Sequence, residues 1–165
     1  NEIINYMIKQ KSNRYESTNS WNMFSSELNI KFYNNLSSLN EIHCSALYLD
    51  NIIIATHVGL ISNKSLYYMM PAFEIDKYGK YSPGKVLLEH LIKWSFNNHL
   101  KIFDFTGGNE KYKFFWKNNT FKLFNISIGQ SIIGKFILIA LKMKPLVKKV
   151  PFLGKIIIYI YRKIF

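Results

Sequence analysis

Residues 81–113 read YSPGKVLLEHLIKWSFNNHLKIFDFTGGNEKYK, and this stretch decides the fold. Ser82 followed by Pro83 is typical of a helix start, with a capping hydroxyl and a proline at the first helical position. Apolar residues at helical spacing then continue to about residue 98. A short buried strand is predicted at 102–105, and an aromatic-rich helix at 110–117. Helix, strand and helix in succession indicate an α/β domain.

Three strand-like runs precede this stretch, at residues 41–49, 52–62 and 66–75. Asp50-Asn51 and Asn63-Lys64 separate them, and two-residue turns of this kind join antiparallel strands. The sequence therefore predicts an antiparallel meander that leads into the α/β part.

Two helices are predicted before the meander, and one strand after the α/β part. The first helix covers residues 2–10, and Ser20 is expected to cap the second. The last strand is predicted at 120–128. The apolar stripe of the second helix is predicted to be Trp21, Phe24, Leu28 and Phe32.

Charge is distributed very unevenly along the 165 residues, whose net charge is +12. Residues 1–110 carry ten basic and ten acidic side chains, whereas residues 111–165 carry twelve basic ones and no acid. We therefore expect a neutral domain at 1–128 and a basic tail at 129–165. The high apolar content excludes a disordered chain. The single cysteine, Cys44, is consistent with a reducing compartment and with a buried packing role.

The loop at 81–85 has the features of a phosphate-binding site. A helix N-terminus presents unpaired N–H groups and the positive end of the helix dipole. Gly84 allows a ligand to approach the backbone, and Lys85 adds a positive charge. The alternative is an ordinary, well-capped helix start.

The motifs also resemble a known family. The segments that carry the resemblance are Tyr81–Leu88, Ile102–Phe105, Gly108–Lys113, Ile54–Gly59 and Arg14-Tyr15. Together they are similar to the GNAT acyltransferases of the CelD/BioF2-like subfamily, which is related to FemAB. The resemblance implies a three-layer α/β (α+β) fold with a mixed, mostly antiparallel sheet flanked by helices. It also implies that a second, N-terminal GNAT half is missing here.

An acyl-CoA donor, acetyl-CoA or another, is what this resemblance implies, with no metal. The donor's pyrophosphate would lie on the loop before the central helix, while strand amides at about 69–72 polarise the thioester. The implied donor-binding residues are Met70, Pro71, Ala72, Tyr81, Ser82, Pro83, Gly84 and Lys85. The acceptor would be a small molecule or a sugar-linked group in envelope or polysaccharide biosynthesis.

Four residues are candidates for catalysis. Asp104 lies near the end of a strand and is the first candidate base, although a carboxylate that bonds loop amides is an equal alternative. His57 has a suitable intrinsic pKa, but a core histidine is the simpler interpretation. By resemblance, Lys113 would contact donor phosphates or the oxyanion and Tyr112 would protonate the thiolate. For Lys113 a solvated position is the alternative.

The tail at 129–165 combines apolar runs with basic residues. Its first run, 132–141, is too short and too charged to span a bilayer. Pro145 and Pro151 are expected to end helices, and a second basic helix is predicted at 154–165. Contact with an anionic membrane surface, from the cytoplasmic side, is one interpretation. The alternative is a pair of helices packed on protein.

Three other functions compete with acyl-CoA transfer. A FemAB-like enzyme would use aminoacyl-tRNA to branch peptidoglycan, and a non-catalytic, membrane-attached binding module would need no donor. A nucleic-acid-binding tail is disfavoured, since long aliphatic runs such as 156–158 serve no purpose in contacting phosphates.

Overall fold

The computed structural model describes residues 2–124 and 126–147. The chain divides into two compact units, residues 1–117 and residues 118–165. The sequence places a boundary somewhat later, after residue 128. Either division separates the basic C-terminal segment from the α/β unit.

The first unit is built on a four-stranded sheet. Its strands are β1 (Ile42–Leu49), β2 (Ile52–Ser62), β3 (Ser65–Phe73) and β4 (Ile102–Asp104). They lie in the order β1-β2-β3-β4. The pairs β1–β2 and β2–β3 are antiparallel, and β3–β4 is parallel. The predicted meander and the mixed, mostly antiparallel sheet are confirmed.

Two tight turns make the meander. Asp50 and Asn51 both have positive φ, as do Asn63 and Lys64. Two consecutive residues of this kind are the geometry of a hairpin turn that matches the right-handed twist of the strands. Asn and Asp adopt positive φ more readily than other non-glycine residues do, which explains why the sequence identified these turns.

One face of the sheet is covered by α1 (Glu2–Ser17) and α2 (Glu27–Leu36). Ile4 and Met7 of α1 are fully buried there. Gln10 is buried one turn further along, where its Oε1 accepts a hydrogen bond of 2.8 Å from Thr56 Oγ1 in β2. This buried bond ties α1 to the centre of the sheet. The helix is seven residues longer than predicted: it continues through residues 11–17, where Lys11, Ser12 and Asn13 are half-buried and Tyr15 packs on the core.

The opposite face is covered by α4 (Pro83–Asn97). Leu87, Leu88 and Leu91 pack on Leu66 and Tyr68 of the sheet. Each fully buried leucine contributes roughly 1.5–3 kcal/mol. The short helices α3 (Ile75–Tyr78) and α5 (Lys111–Trp116) lie before and after this element. With helices on both faces, the unit is a three-layer α/β domain, as expected.

The start of the second helix differs from the prediction. Ser20 does not cap it; a short 3₁₀ turn at Met23–Ser25 intervenes, capped by Asn22, whose Oδ1 accepts from Phe24 N at 2.9 Å. Of the predicted apolar stripe only Phe24 is buried, while Trp21, Leu28 and Phe32 are exposed. Helical spacing identified a face but not whether anything covers it.

The second unit is described over 118–124 and 126–147, and α6 (Ile132–Val147) is its helix in those residues. The strand predicted at 120–128 is wrong: its described residues form neither strand nor helix, and no strand pairs with them. Pro145 does not end α6, which continues to Val147. The helix predicted at 154–165 lies outside the described residues. None of the helices described is long and apolar enough to cross a membrane.

Candidate active site

The sheet opens along β3. Strand β4 pairs with only the first three residues of β3, from Ser65 to Tyr67. Within the described part of the chain, residues 68–73 have no strand partner on that side. The nearest link is Thr106 Oγ1, which lies 3.4 Å from the carbonyl oxygen of Tyr68. Six residues of β3 therefore present a backbone edge on which an extended ligand can form strand-like hydrogen bonds.

The predicted donor-binding residues of β3 lie in this open stretch. The side chain of Ala72 is buried against the α1 face, and Met70 packs beside it. Glu74 N donates to Ile54 O, so the backbone groups of Met70 and Ala72, on the same side of the strand, face β2, and the carbonyl oxygen of Pro71 faces the open side. Pro71 has no N–H, so it cannot donate a hydrogen bond to a ligand. It lies in a stretch without a β4 partner, where the missing N–H breaks no ladder hydrogen bond.

The loop that follows β3 and α3 ends in the first turn of α4. Ser82 has φ 53° and ψ 50°, a left-handed conformation, and its side chain makes no capping bond. Its carbonyl oxygen instead accepts from the amides of Lys85 at 2.9 Å and Val86 at 3.3 Å. Pro83 has no N–H, which leaves the Gly84 amide as the donor of this turn available to a ligand. Tyr81 and Lys85 are exposed beside it.

Gly84 connects this turn to the end of β3. A Cβ on Gly84 would lie 3.0 Å from Cδ1 of Phe73, so glycine permits the close contact between helix and strand. On the same phenylalanine ring lies the guanidinium of Arg14, with its Cζ 5.5 Å from the ring centre. A cation in this position contributes about 0.5–1 kcal/mol at an exposed site. The helix start, the end of β3 and α1 thus meet around one aromatic ring.

Lys11 precedes Arg14 by nearly one turn of α1. Burial lowers the pKa of Lys11, the neighbouring Arg14 lowers it further, and Glu110 opposes the shift. Glu110 stands directly before α5, so α1 and the segment entering α5 share one electrostatic neighbourhood. Arg14 lies on the Phe73 ring beside Gly84, and Lys11 shares the electrostatic surroundings of Arg14 and Glu110.

Tyr112 belongs to the same neighbourhood. It is half-buried, packs edge-on against Phe105 with ring centres 6.3 Å apart, and adjoins the core under α4. Burial raises the pKa of Tyr112, Glu110 raises it further, and Arg14 acts in the opposite sense. The phenol is therefore protonated at neutral pH and can serve as a proton donor.

The loop between β4 and α5 is held by two charged side chains. Asp104 Oδ1 accepts a hydrogen bond of 2.7 Å from the amide of Thr106, which has positive φ. Lys113 is almost fully buried, and its Nζ donates to the carbonyl oxygen of Gly107 at 2.7 Å. The same Nζ is 2.9 Å from Glu110 Oε2. Both predicted catalytic residues thus have structural partners here, and their catalytic roles stay predictions.

His57 lies on the other side of Tyr68, inside the core. It is 0% exposed, stacks on the Tyr68 ring at 4.6 Å, and neither ring nitrogen has a hydrogen-bond partner in the described residues. Burial, with a smaller effect of His43, lowers the pKa of His57 to about 3. His57 is therefore neutral at physiological pH, and its burial favours the core interpretation over that of a base.

A glycine makes room for this imidazole. A Cβ on Gly59 would lie 2.6 Å from His57 Cε1 and 2.4 Å from the carbonyl oxygen of Tyr67. Gly59 also sits where the pairing of β2 with β3 shifts register between Val58 and Leu60. The bulge and the buried histidine thus depend on the same residue.

Several predicted residues come together in this geometry. Residues 70–72 lead through Phe73 to Gly84, and Tyr112 shares the electrostatic surroundings of Arg14. Sequence reasoning overlooked Lys11; its spacing of three from Arg14 places both on one helix face and was the available signal. Within the described residues, no three histidine, cysteine, aspartate or glutamate side chains could hold a metal ion together.

The first unit thus combines a mixed sheet with an opening beside the start of its central helix. Residues 1–114 match the family model described as acetyltransferase (GNAT) domain, and the chain belongs to this family. The match lies within the first unit and includes both α1 and the loop at 81–85. No curated protein and no solved structure matches the chain.

Proposed function

We propose that this protein transfers an acyl group from acyl-CoA to an amine or hydroxyl acceptor. The observation that supports it most is the edge of β3 at residues 68–73, which has no β4 partner and ends at Phe73, in contact with Gly84. An extended pantetheine arm can bond to such an edge while the pyrophosphate reaches a helix N-terminus. GNAT membership supports the acyltransferase class, and the acyl-CoA donor is our inference.

The donor phosphates would be bound at the loop formed by residues 81–85. The Gly84 amide and the dipole of α4 attract an anion, and Lys85 adds an exposed positive charge. Arg14 lies on the Phe73 ring beside Gly84, and Lys11 is close to Arg14. We assign both α1 side chains to the phosphates of the donor.

Direct transfer requires only bond exchange at the thioester. The acceptor nitrogen or oxygen attacks the carbonyl carbon, the carbon–sulfur bond breaks, and the acceptor loses a proton to a base. Tyr112, protonated at neutral pH, would supply a proton to the departing thiolate. Asp104 is the candidate base, with its carboxylate also holding the turn at Thr106. The amides of Met70 and Ala72 point toward β2, on the same side of the strand as that of Glu74, which donates to Ile54 O. On the open side Pro71 has no N–H, so the amides of Met69 and Phe73 are left to polarise the carbonyl.

The acceptor follows from the subfamily resemblance alone. CelD/BioF2-like motifs favour a sugar-linked or other small acceptor in envelope or polysaccharide biosynthesis. The alternative is a FemAB-like reaction with aminoacyl-tRNA, and the experiment must distinguish it from acyl-CoA transfer.

Calorimetric titration of CoA and acetyl-CoA into the intact protein tests the donor. We expect binding by the wild type and at least about a tenfold weaker affinity for Gly84→Glu, because the carboxylate occupies the anion position. Phe96→Glu is the matched control: the same charge is added at the far end of α4, where Phe96 is 81% exposed. It should bind as the wild type does.

Two results would overturn this function. One is the absence of CoA binding by the wild type. The other is salt-dependent binding of tRNA by the protein without any binding of CoA, which would favour the aminoacyl-tRNA reaction. Circular dichroism of each variant separates a lost site from a lost fold.

A further inference from the structure

The second unit exposes an unusual amount of apolar surface. Ten large apolar side chains between residues 121 and 141 are exposed, and the exposed fraction reaches 86% at Ile126. They are Phe121, Leu123, Phe124, Ile126, Ile128, Ile132, Ile133, Phe136, Ile139 and Leu141. A monomeric protein rarely leaves so large an apolar surface in water, and such surfaces are typical of interaction sites.

The exposed apolar side chains of α6 are not confined to one side of the helix. Ile132, Ile133 and Phe136 are exposed on one side, and Leu141 is exposed on another. A helix that is apolar nearly all round is stable when its surroundings are apolar. The preceding segment contributes Phe121 and Ile126 without the protection of a paired strand.

Charge identifies the chemistry of a partner for this surface. Residues 118–147 contain four lysines, at positions 122, 135, 142 and 144, and no aspartate or glutamate. An anionic surface satisfies these charges, and each basic residue near an anionic leaflet contributes about 1 kcal/mol. A nucleic acid would also attract the charges, but it would leave the isoleucines and phenylalanines in water. An anionic lipid surface satisfies both properties at once.

We propose that residues 118–147 attach the protein to the surface of an anionic lipid bilayer. The apolar side chains enter the boundary between headgroups and acyl chains, while the basic side chains contact the headgroups. At 16 residues α6 is about 24 Å long, which is shorter than the hydrocarbon core, so it lies on the bilayer. This attachment is independent of the donor and of the transfer reaction.

Vesicle flotation with the full chain tests the proposal. We expect the wild type to float with phosphatidylcholine vesicles that carry phosphatidylglycerol, and much less with phosphatidylcholine alone. Ile133→Asp combined with Phe136→Asp should reduce the partitioning at least about tenfold, because two apolar side chains no longer enter the lipid. Phe96→Asp, at an equally exposed site in α4, is the matched control and should float as the wild type does.

A second variant separates charge from apolar contact. Lys122→Glu combined with Lys135→Glu should weaken binding to the anionic vesicles and leave the weak binding to neutral vesicles unchanged. Equal flotation of the wild type and the Ile133→Asp/Phe136→Asp variant would overturn the proposal. Wild type that stays with neither vesicle would also overturn it, and sedimentation equilibrium would then show whether a second copy covers the apolar side chains.

Discussion

Replacing Lys113 by methionine removes the ammonium group that connects two parts of the loop before α5. Methionine keeps most of the aliphatic length, so the packing of this nearly buried side chain changes little. The carbonyl oxygen of Gly107 loses a charge-assisted hydrogen bond of 2.7 Å, which costs about 1.5–3 kcal/mol. Glu110 loses its ion pair of 2.9 Å, and because its side chain is 56% exposed this costs about 0–1 kcal/mol. We therefore expect a loss of about 1.5–4 kcal/mol in the free energy of unfolding.

Urea denaturation followed by circular dichroism measures this loss, and two variants control it. Lys93→Met breaks an ion pair of similar length, 2.8 Å, with Glu89, but both side chains are more than half exposed. It should leave the free energy of unfolding almost unchanged, because water screens an exposed ion pair. Glu110→Gln removes the exposed partner and keeps the Lys113 bond to Gly107, so it should cost less than about 1 kcal/mol.

The pH dependence of the same measurement has a definite sign. The hydrogen bond from Lys113 is the main cause that lowers the pKa of Glu110 below its ordinary value of 4.5. A lowered carboxyl pKa stabilises the fold above the unfolded value, and this contribution disappears as the pH falls through the folded pKa. The difference between wild type and Lys113→Met should therefore narrow below pH 4.5, down to the part contributed by Gly107. A Lys113→Met variant as stable as Lys93→Met at neutral pH would refute the structural role.

Two further changes test the core. Burial lowers the pKa of His57 from 6.5 to about 3, so between these two pH values the fold should lose up to about 1.4 kcal/mol of stability for each pH unit that the pH falls. His57→Leu should flatten this slope in urea titrations, and an unchanged slope would contradict the assignment. Thr56→Val leaves Gln10 Oε1 without its donor and should cost about 1–3 kcal/mol, of which Gln10→Met in the same chain should recover part. Strictly additive losses in that double-mutant cycle would show that the two side chains are not coupled.

Much of the first unit could be predicted because its turns and strands are determined by residues that are close together in the sequence. The hairpin turns depend on residues that tolerate positive φ, and the strands between them depend on composition and length. The start of α4 was predicted from Ser82 and Pro83 within one residue of its position. The predicted capping bond from the Ser82 hydroxyl is absent, because the carbonyl oxygen of Ser82 accepts the hydrogen bonds of the first turn instead.

The predictions were wrong where the structure of a segment depends on which other segment packs against it or pairs with it. Apolar spacing places Trp21 and Leu28 on the apolar stripe of the second helix, yet both side chains are exposed. The alternating residues at 120–128 have the composition of a strand, but a strand forms only when another strand accepts its hydrogen bonds. Pro145 is compatible with a helix that bends or adjusts locally, so proline alone does not fix its end.

The candidate site was predictable in its backbone and less so in its side chains. A glycine at the start of α4 follows from the loop motif, whereas the bond from Lys113 to Gly107 depends on how the chain turns between β4 and α5. The burial of His57 likewise depends on the strands around it. The periodicity of apolar residues within one segment does not reveal long-range contacts of this kind.

Gly59 limits how this chain can diverge. A side chain at this position would meet both the His57 ring and the main-chain oxygen of Tyr67. A smaller residue at 57 would remove the first obstacle but not the second, since a carbonyl oxygen belongs to every sequence. Relatives with this register shift should therefore keep glycine at position 59 whatever residue stands at position 57, and an alignment would show this pattern.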